Sequence, residues 1–394
     1  MLITDKPIDT HIGILDEEPI RLITPLLLNV GISEIFLVGD YSQKIIFERI
    51  EEILSIRNVT CFFYEITPES EPHNLIYDLK FLCEKLINQK RNIFFNASCG
   101  SRFRLLTAYE VFSEHKWPTY ILELETNEIC WLNNEDNSAV LKNKGSITVK
   151  EWLAVSGATI YEETQYAKNN DISSSDIALA NEWAFNSVEL SKAFSVLNFF
   201  ATTCKKSGGL NTKLTDKQLG YVELRKVITD LKHKKYITIN DHSLSFANEC
   251  VRSFCNGQWL MKYVYHTLIQ LNNDIQCIDD IGYNITFSRR VGDVLVKNKF
   301  DVAAIVNNKL FIIECKTKSM KDSGDDTLYK LDSLRELIGG VQSKSMLISL
   351  QPLRPSDLAR SESLDVKIVA PSQLKNLKLV LLDWIESNTN QNMV

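Results

Sequence analysis

The N-terminal third alternates short apolar runs with segments of helical periodicity, and this alternation constrains the fold more than any other feature. The apolar runs predict strands at 11–15, 34–38, 59–64 and 92–96. The periodic segments predict helices near 20–30, 42–56, 73–90 and 103–114. Strands alternating with helices of this length predict βαβ units and a parallel sheet, with right-handed crossovers that place helices on both faces. Strands near 119–125 and 128–132 would complete a domain of residues 1–150.

The middle of the chain, residues 151–250, predicts a helical connector. Two polar segments are typical of loops or linkers: 135–146 and 168–176. A helix predicted over 216–233 is followed by two short strands around an Asn240-Asp241 turn. A helix followed by a β-hairpin resembles a winged helix. We favour a structural connector over direct reading of DNA.

Residues 251–394 predict a second α/β domain. Its predicted helices are 257–271, 326–338, 355–362 and 371–386. Its predicted strands are 283–288, 300–306, 309–315, 344–350 and 365–369. Asn307 and Asn308 join two of these strands and suit a tight hairpin turn, because both residues can adopt positive φ.

Charged side chains lie at the open end of this hairpin, away from the Asn307-Asn308 turn. Asp301 begins one strand, and Glu314 and Lys316 end the next. Residues two apart on a strand share a face, so Glu314 and Lys316 point the same way and the hairpin brings Asp301 beside them. Both carboxylates, with the Cys315 carbonyl, could bind Mn²⁺ or Mg²⁺. Such a metal activates water and stabilises phosphate charge, and Lys316 could orient that water or neutralise the phosphorane. The pattern predicts a metal-dependent nuclease.

A second candidate site is the turn between the predicted strand 92–96 and the helix 103–114. Its candidate ligand-binding residues are Asn96, Ser98, Gly100, Ser101 and Arg102. In a doubly wound sheet, ligands bind at the carboxyl ends of the strands. Small residues let a ligand approach the backbone, and the helix N-terminus offers free N–H groups to phosphates. An ordinary capped βα turn is the alternative interpretation.

These segments resemble CRISPR ancillary nucleases that carry an N-terminal CARF sensor domain and a C-terminal PD-(D/E)xK nuclease domain. The nuclease half is similar over 257–385, notably at Gly257-Gln258-Trp259-Leu260, at Tyr263-Val264 and from Lys330-Leu331 to Gly339-Gly340. The turn at 96–102 is similar to the Asn-x-Thr-Gly-Gly-Thr-Lys turn of CARF domains. The loop Asp16-Glu17-Glu18-Pro19 matches their other ligand-contacting loop. The resemblance implies a Rossmann-like sensor, a winged-helix-like connector and a nuclease domain, in that order.

The resemblance also implies partners. A cyclic oligoadenylate, in the first place cyclic tetra-adenylate, would bind across a homodimer two-fold axis as an allosteric activator. Asp16, Glu17 and Glu18 could accept hydrogen bonds from adenine amino groups. The implied substrates are single-stranded RNA and DNA, with nicking of duplex DNA as a further reaction.

Position 261 departs from the family, which usually has Glu directly after the Trp-Leu pair. This sequence has Met261, a poor ligand for hard cations. Gln258, one helical turn earlier on the same face, could supply a neutral oxygen. If the helix lines the site, we expect weak metal affinity with Mn²⁺ preferred, and Met261→Glu should lower the metal requirement. The alternative is that Met261 packs in the core.

Bulk composition, with 44% hydrophobic and 24% charged residues, is that of a soluble protein, and no apolar run is long enough for a membrane span. Nine cysteines without a C-x-x-C pair indicate reduced thiols in a cytoplasmic protein. The net charge of −6 disfavours broad, non-specific duplex binding. A second function class remains open: a ligand-responsive DNA-binding regulator with an inactive nuclease fold. The winged-helix-like segment and Met261 favour it, whereas the presence of Asp301, Glu314 and Lys316 disfavours it.

Overall fold

A computed structural model describes residues 8–16, 18–27, 32–67, 72–87, 89, 91–123, 128–133, 146–161, 173–291, 293–319, 324–340 and 343–389. The chain forms two compact units. One comprises Met1–Ile160 with Ser288–Val296, and the other comprises Tyr161–Phe287 with Lys297–Val394. The predicted three-domain division stays a prediction. Within the described ranges, no helix is both long and apolar enough to cross a membrane.

The first unit is built on a six-stranded sheet. Its strands are β1 (Ile8–Ile14), β2 (Glu34–Gly39), β3 (Thr60–Glu65), β4 (Arg91–Asn96), β5 (Thr119–Glu123) and β6 (Glu128–Trp131), and a short β7 (Ala158–Ile160) follows. Its helices are α1 (Ile20–Leu27), α2 (Lys44–Ile56), α3 (Pro72–Ile87), α4 (Arg102–Glu114) and α5 (Val149–Val155). The strand order is β3-β2-β1-β4-β5-β6, and every pairing is parallel except that of β5 with β6. The predicted parallel α/β sheet is confirmed.

The connectivity of this sheet reverses between β1 and β4. The chain leaves β1 for β2 on one side, then continues past β3 and returns to β4 on the other side of β1. Gly13 of β1 lies opposite Asn96 of β4, so the carboxyl ends of these strands are neighbours. Such a switch point leaves a crevice outside the sheet where ligands bind in doubly wound folds.

The second unit begins with a winged-helix arrangement. Its elements are α6 (Ser174–Phe185), α7 (Ser187–Lys206), β8 (Asn211–Lys213), α8 (Asp216–Leu219), α9 (Val222–His233), β9 (Ile237–Asn240) and β10 (Ser243–Phe246). The three strands form an antiparallel sheet in the order β8-β10-β9.

Three local predictions for this segment were wrong. The single helix expected over 216–233 breaks where Gly220 caps α8 and Tyr221 is extended, with ψ 114°. Asn240 pairs with Ser243, so the two-residue turn is Asp241-His242, one residue later than expected. The linker expected over 168–176 already contains the start of α6, which is capped by Ser173.

A mixed sheet forms the rest of the second unit. Its strands are β11 (Asp280–Val291), β12 (Val294–Val306), β13 (Lys309–Lys316), β14 (Lys344–Ser349) and β15 (Val366–Val369). Its helices are α10 (Glu249–Ser253), α11 (Trp259–Ile275), α12 (Gly324–Gly339), α13 (Pro355–Ser363) and α14 (Leu377–Thr389). A kinked turn at Phe254–Gln258 precedes α11, and Asn256 and Gly257 in it have non-helical backbone angles. These strands run in the order β15-β14-β13-β12-β11. The predicted Asn307-Asn308 turn is confirmed, since both residues have positive φ, 49° and 53°.

Strands β13, β14 and β15 pair in parallel, and helix α7 follows their carboxyl ends. The Ser187 hydroxyl donates to the carbonyl of Pro371 after β15 (2.7 Å), and the Gln351 side chain after β14 donates to the carbonyl of Ser191 (2.6 Å). The Asn198 amide donates to the hydroxyl of Thr317 after β13 (2.9 Å). These three contacts fix α7 against the strand ends, next to the predicted nuclease residues.

Candidate functional sites

The predicted nuclease residues occupy one face of the β12–β13 hairpin. Val302 pairs with Ile313, so Asp301 and Glu314 occupy the next opposed positions and point to the other face from that apolar pair. Lys316 shares the face of Glu314 and forms an ion pair with it. The structure therefore brings Asp301, Glu314 and Lys316 together, as the alternation of the two strands predicts.

Each carboxylate at this site has a defined partner. The Cys315 N–H donates to Asp301 Oδ2 (3.0 Å), and Lys299 Nζ lies 3.2 Å from Asp301 Oδ1. Burial raises the pKa of Glu314, and the charge of Asp301 raises it further against the opposing effect of Lys316. Burial alone would lower the pKa of Lys316, but Glu314 and then Asp301 raise it on balance, so its amine stays protonated.

Two further lysines border the site and were not assigned from the sequence. Lys299 and Lys330, with Glu314 and Lys316, line a cavity of about 40 Å³ beneath α12. The charge of Lys330 acts on Glu314, lowering its pKa. Lys299 lies two residues before Asp301 on β12, so strand alternation could have indicated it. Lys330 is brought in by the packing of α12, which has no local sequence signal.

The donor set fits a hard divalent cation. Burial and, after it, the charge of Asp301 raise the pKa of Glu314, and a bound cation would relieve the repulsion between the two carboxylates. Burial raises the pKa of the Cys315 thiol well above its usual range, so the protonated sulfur is a poor ligand and only the carbonyl could contribute. Across the described ranges, no cluster of three or more His, Cys, Asp or Glu could hold a metal. A cation here would therefore depend on two carboxylates, backbone oxygen and water.

The two candidates near the start of α11, Gln258 and Met261, lie in different surroundings. Met261 is 4% exposed and belongs to the same apolar cluster as Val302 and Ile313, which lie on the face opposite Asp301 and Glu314. This placement favours packing in the core. Gln258 is half-buried and directly precedes α11 without a side-chain capping hydrogen bond, and the adjacent Gly257 lies against Thr317 at the end of β13.

In the first unit, the two predicted ligand loops meet at the switch point between β1 and β4. The Cys99 thiol donates to the carbonyl of Glu18 (3.4 Å), which joins the loop after β4 to the loop after β1. Burial raises the pKa of Cys99 to about 12, and the charge of Asp16 also raises it. Glu18 forms an ion pair with Arg21 (3.2 Å). Glu17 lies outside the described residues.

Several of the polar residues predicted to bind the ligand also form hydrogen bonds within the turn. Asn96 is fully buried; its amide donates to the Leu22 carbonyl (3.1 Å) and its oxygen accepts from the Ser98 N–H (3.1 Å). The Ser98 hydroxyl accepts from the Leu122 N–H (2.9 Å), and Ser101 caps α4. These contacts shape the loop and leave the ligand-binding roles as predictions.

The surface of the crevice offers charge and exposed backbone. Gly100 has φ 134°, and a Cβ there would lie 3.0 Å from Leu105, so the turn requires glycine. Arg102 is exposed at the start of α4, where free N–H groups also point outward. Arg104 pairs with Asp40 (2.7 Å) after β2, a contact between distant segments that no local pattern predicts.

The exposed face of α9 in the winged-helix segment is covered in part by acidic neighbours. A groove of about 600 Å³ separates α9 from α6 and α7. Lys226 of α9 pairs with Glu189, and Trp183 donates to Asp230 (3.1 Å). Glu182 and Glu189 on the opposite wall would face DNA phosphates, so the groove is poorly suited to a duplex.

Comparison with known proteins agrees with these features. Residues 248–388 match the family model described as the Card1-like endonuclease domain. The crystal structure of protein VC1899 from Vibrio cholerae superposes with a TM-score of 0.88 over 97% of this chain and 99% of that chain. The sequence identity is 39%. No curated protein sequence matches the chain.

Two other solved structures share the fold. Can2 from Sulfobacillus thermosulfidooxidans, in complex with cyclic tetra-adenylate, is 21% identical over 96% of this chain and 99% of that chain, with a TM-score of 0.78. A type III CRISPR defence DNA nuclease activated by cyclic oligoadenylate is 13% identical over 95% of this chain and 52% of that chain, with a TM-score of 0.51. The full-length identity to VC1899 and the domain match show that the chain belongs to the same family as VC1899 and carries a Card1-like endonuclease domain.

Proposed function

We propose that the protein is a metal-dependent endonuclease activated by a cyclic oligoadenylate, in the first place cyclic tetra-adenylate. The observation that carries the proposal is the grouping of Asp301, Glu314 and Lys316 on one face of β12–β13, inside the region that matches the endonuclease model. Single-stranded RNA, single-stranded DNA or both would be the substrate. A homodimer with CARF-like sensor domains would bind the activator.

The chain's own residues have separate roles at the proposed centre. Asp301 and Glu314, with the Cys315 carbonyl, would hold Mn²⁺ or Mg²⁺. Bound there, the cation would supply Lewis-acid activation of the scissile phosphate. Lys316 stays protonated and can donate to a phosphate oxygen or hold the attacking water in place. Lys299 and Lys330 add positive charge where the phosphate would approach.

The activator would bind in the crevice between β1 and β4. Its phosphates fit the N-terminus of α4 and the exposed Arg102. Acidic groups of the loop after β1 could accept from adenine amino groups. Can2, which shares the fold, was solved with cyclic tetra-adenylate. The ligand can switch cleavage only by binding more tightly to the active arrangement than to the resting one.

The second candidate, a DNA-binding regulator with an inactive nuclease fold, rests on the winged-helix arrangement. The acidic wall formed by Glu182 and Glu189 opposite α9 weakens it. The retained charged face of β12–β13 also favours an active nuclease.

Site-directed variants test the proposed centre. Asp301→Asn and Glu314→Gln should each lower cleavage by about 100-fold or more, because each removes a ligand on which several kcal/mol of transition-state stabilisation depend. Labelled single-stranded RNA and DNA would be incubated with Mn²⁺ or Mg²⁺, with and without cyclic tetra-adenylate. Asp274→Asn, an exposed carboxylate on α11, is the matched control and should cleave normally. Wild-type rates in both site variants would remove the assignment.

A further inference from the structure

A cluster of lysines lies beside the proposed centre, on two segments that are distant in the sequence. Lys205 and Lys206 are exposed at the C-terminal end of α7, and Lys318 is exposed just after β13. Lys318 Nζ lies 3.3 Å from the hydroxyl of Thr202 on α7, which holds the two segments together. Lysines are common in the last turn of a helix because they complement its dipole. That preference does not explain a third lysine brought in from the catalytic strand.

The charges in this cluster repel one another. Burial lowers the pKa of Lys318, and the positive charges of Lys316, Lys205 and Lys206 lower it further. Glu249 acts on Lys205, but it forms a hydrogen-bonded ion pair with the buried Arg252. Like charges held together cost free energy that a bound polyanion recovers.

An exposed aromatic ring continues the same surface along α7. Phe199 is 61% exposed, although its neighbours Asn198 and Phe200 are buried. Phe199 and Lys206 are seven residues apart, so they share a face of the helix about 10 Å apart along its axis. The backbone beneath the ring is fixed by the bond from Asn198 to Thr317 and by the Thr203 hydroxyl, which donates to the Phe199 carbonyl (2.9 Å).

We propose that Phe199, Lys205, Lys206 and Lys318 form a binding surface for single-stranded nucleic acid that leads to Glu314 and Lys316. This strand surface combines a stacking platform for a base with cations for phosphates, the two elements that single-strand binding requires. Duplex DNA keeps its bases stacked inside and cannot use the ring. The inference rests on the proposed nuclease function and assigns part of its substrate contact.

Binding without cleavage tests the strand surface directly. A fluorescein-labelled oligothymidylate would be titrated with the full-length protein plus cyclic tetra-adenylate in EDTA, and fluorescence anisotropy measured at several salt concentrations. Phe199→Ala should weaken binding by about 5- to 100-fold, and Phe199→Tyr should restore it. The double variant Lys205→Gln/Lys206→Gln should reduce the slope of log affinity against log salt by about 1.4, since each single-strand phosphate contact contributes about 0.7.

Matched controls separate this effect from general loss of charge or apolar surface. Phe185→Ala removes a ring that is 70% exposed on α6, and Lys367→Gln/Lys375→Gln removes two exposed lysines near β15. Both controls should bind the single strand as the wild type does, and a labelled duplex should be insensitive to Phe199→Ala. Equal losses in variants and controls, or equal sensitivity of duplex and single strand to Phe199→Ala, would overturn the proposal. Failure of the proposed nuclease function would instead appear as intact binding without metal-dependent cleavage.

Discussion

At the scale of single residues, position 261 determines how this site differs from the family pattern. A Glu there would add a carboxylate near the start of α11, whereas Met261 is buried among apolar side chains on the far side of the β12–β13 hairpin from Asp301. Its thioether is a poor partner for Mn²⁺ or Mg²⁺ in any position. The structure therefore favours a packing role, the alternative that the sequence left open.

Met261→Glu should destabilise the protein without improving metal use. Burying a carboxylate without a partner costs at least about 2 kcal/mol, so the melting temperature should fall by several degrees. The Mn²⁺ concentration for half-maximal cleavage should not fall. Met261→Leu conserves volume and is the control that should preserve both values. A lower Mn²⁺ requirement in Met261→Glu would show that the side chain does face the metal.

Single residues also show what sequence patterns can and cannot predict here. The grouping of Asp301, Glu314 and Lys316 follows from strand alternation and one Asn-Asn turn, both of which are local. Lys330 depends on how α12 packs over the sheet, which no local pattern encodes. The sequence allows an ordinary capped turn at 96–102 as the alternative to a ligand site, and the contacts of Asn96, Ser98 and Ser101 are those of such a turn.

Among the secondary-structure elements, the kinked turn before α11 packs against the end of β13. Gly257 in this turn has φ 108°, and a Cβ on it would lie 2.5 Å from the Thr317 hydroxyl oxygen. Thr317 directly follows Lys316 and accepts a hydrogen bond from Asn198. The turn can therefore lie this close to β13 only because residue 257 is glycine.

Gly257→Ala should disturb both stability and cleavage. The strained backbone alone costs about 1–3 kcal/mol, and the contact with Thr317 forces the end of β13 to shift. We expect a lower melting temperature and slower cleavage with unchanged binding of cyclic tetra-adenylate. Gly209→Ala is the control, because the nearest heavy atom to its Cβ would be Ser207 Oγ at 3.9 Å. If both variants behave alike, the turn does not position the catalytic strand.

Element prediction succeeded for the longer strands of the first sheet and failed for the shortest strands. The strands β1 to β4 and helix α4 lie within a few residues of their predicted bounds. The strands β7 and β8 were missed because a strand of three residues is too short to show an alternating pattern. The first residues of β12, Val294 to Lys299, were missed because they pair outside the apolar core.

For the molecule as a whole, the structure confirms the predicted α/β class, with helices and sheets in both units. The alternation of elements was sufficient to predict this class. The predicted domain boundaries stay predictions. The compact units divide after residue 160, and residues 288–296 group with the first unit. Such grouping depends on tertiary contacts that a linear pattern does not contain.

In the proposed function two sites are coupled, because an activator bound between β1 and β4 would switch cleavage at Asp301 and Glu314. Coupling is a difference in binding free energy between two states. Weakening one contact to the activator should therefore raise the activator concentration needed for half-maximal cleavage and leave the maximal rate almost unchanged. Arg102→Ala removes one charge-assisted contact worth about 1.5–3 kcal/mol, equivalent to roughly a 10- to 150-fold shift.

The most direct measurement is the cleavage rate of a labelled single strand as a function of cyclic tetra-adenylate concentration, in excess Mn²⁺. We predict saturable activation in the wild type, a half-maximal concentration raised by roughly 10- to 150-fold in Arg102→Ala with a similar plateau, and no cleavage at any concentration in Glu314→Gln. Lys116→Ala, an exposed lysine beyond the other end of α4, should match the wild type. Cleavage that is independent of the activator, or equal activation curves for Arg102→Ala and the wild type, would contradict the account.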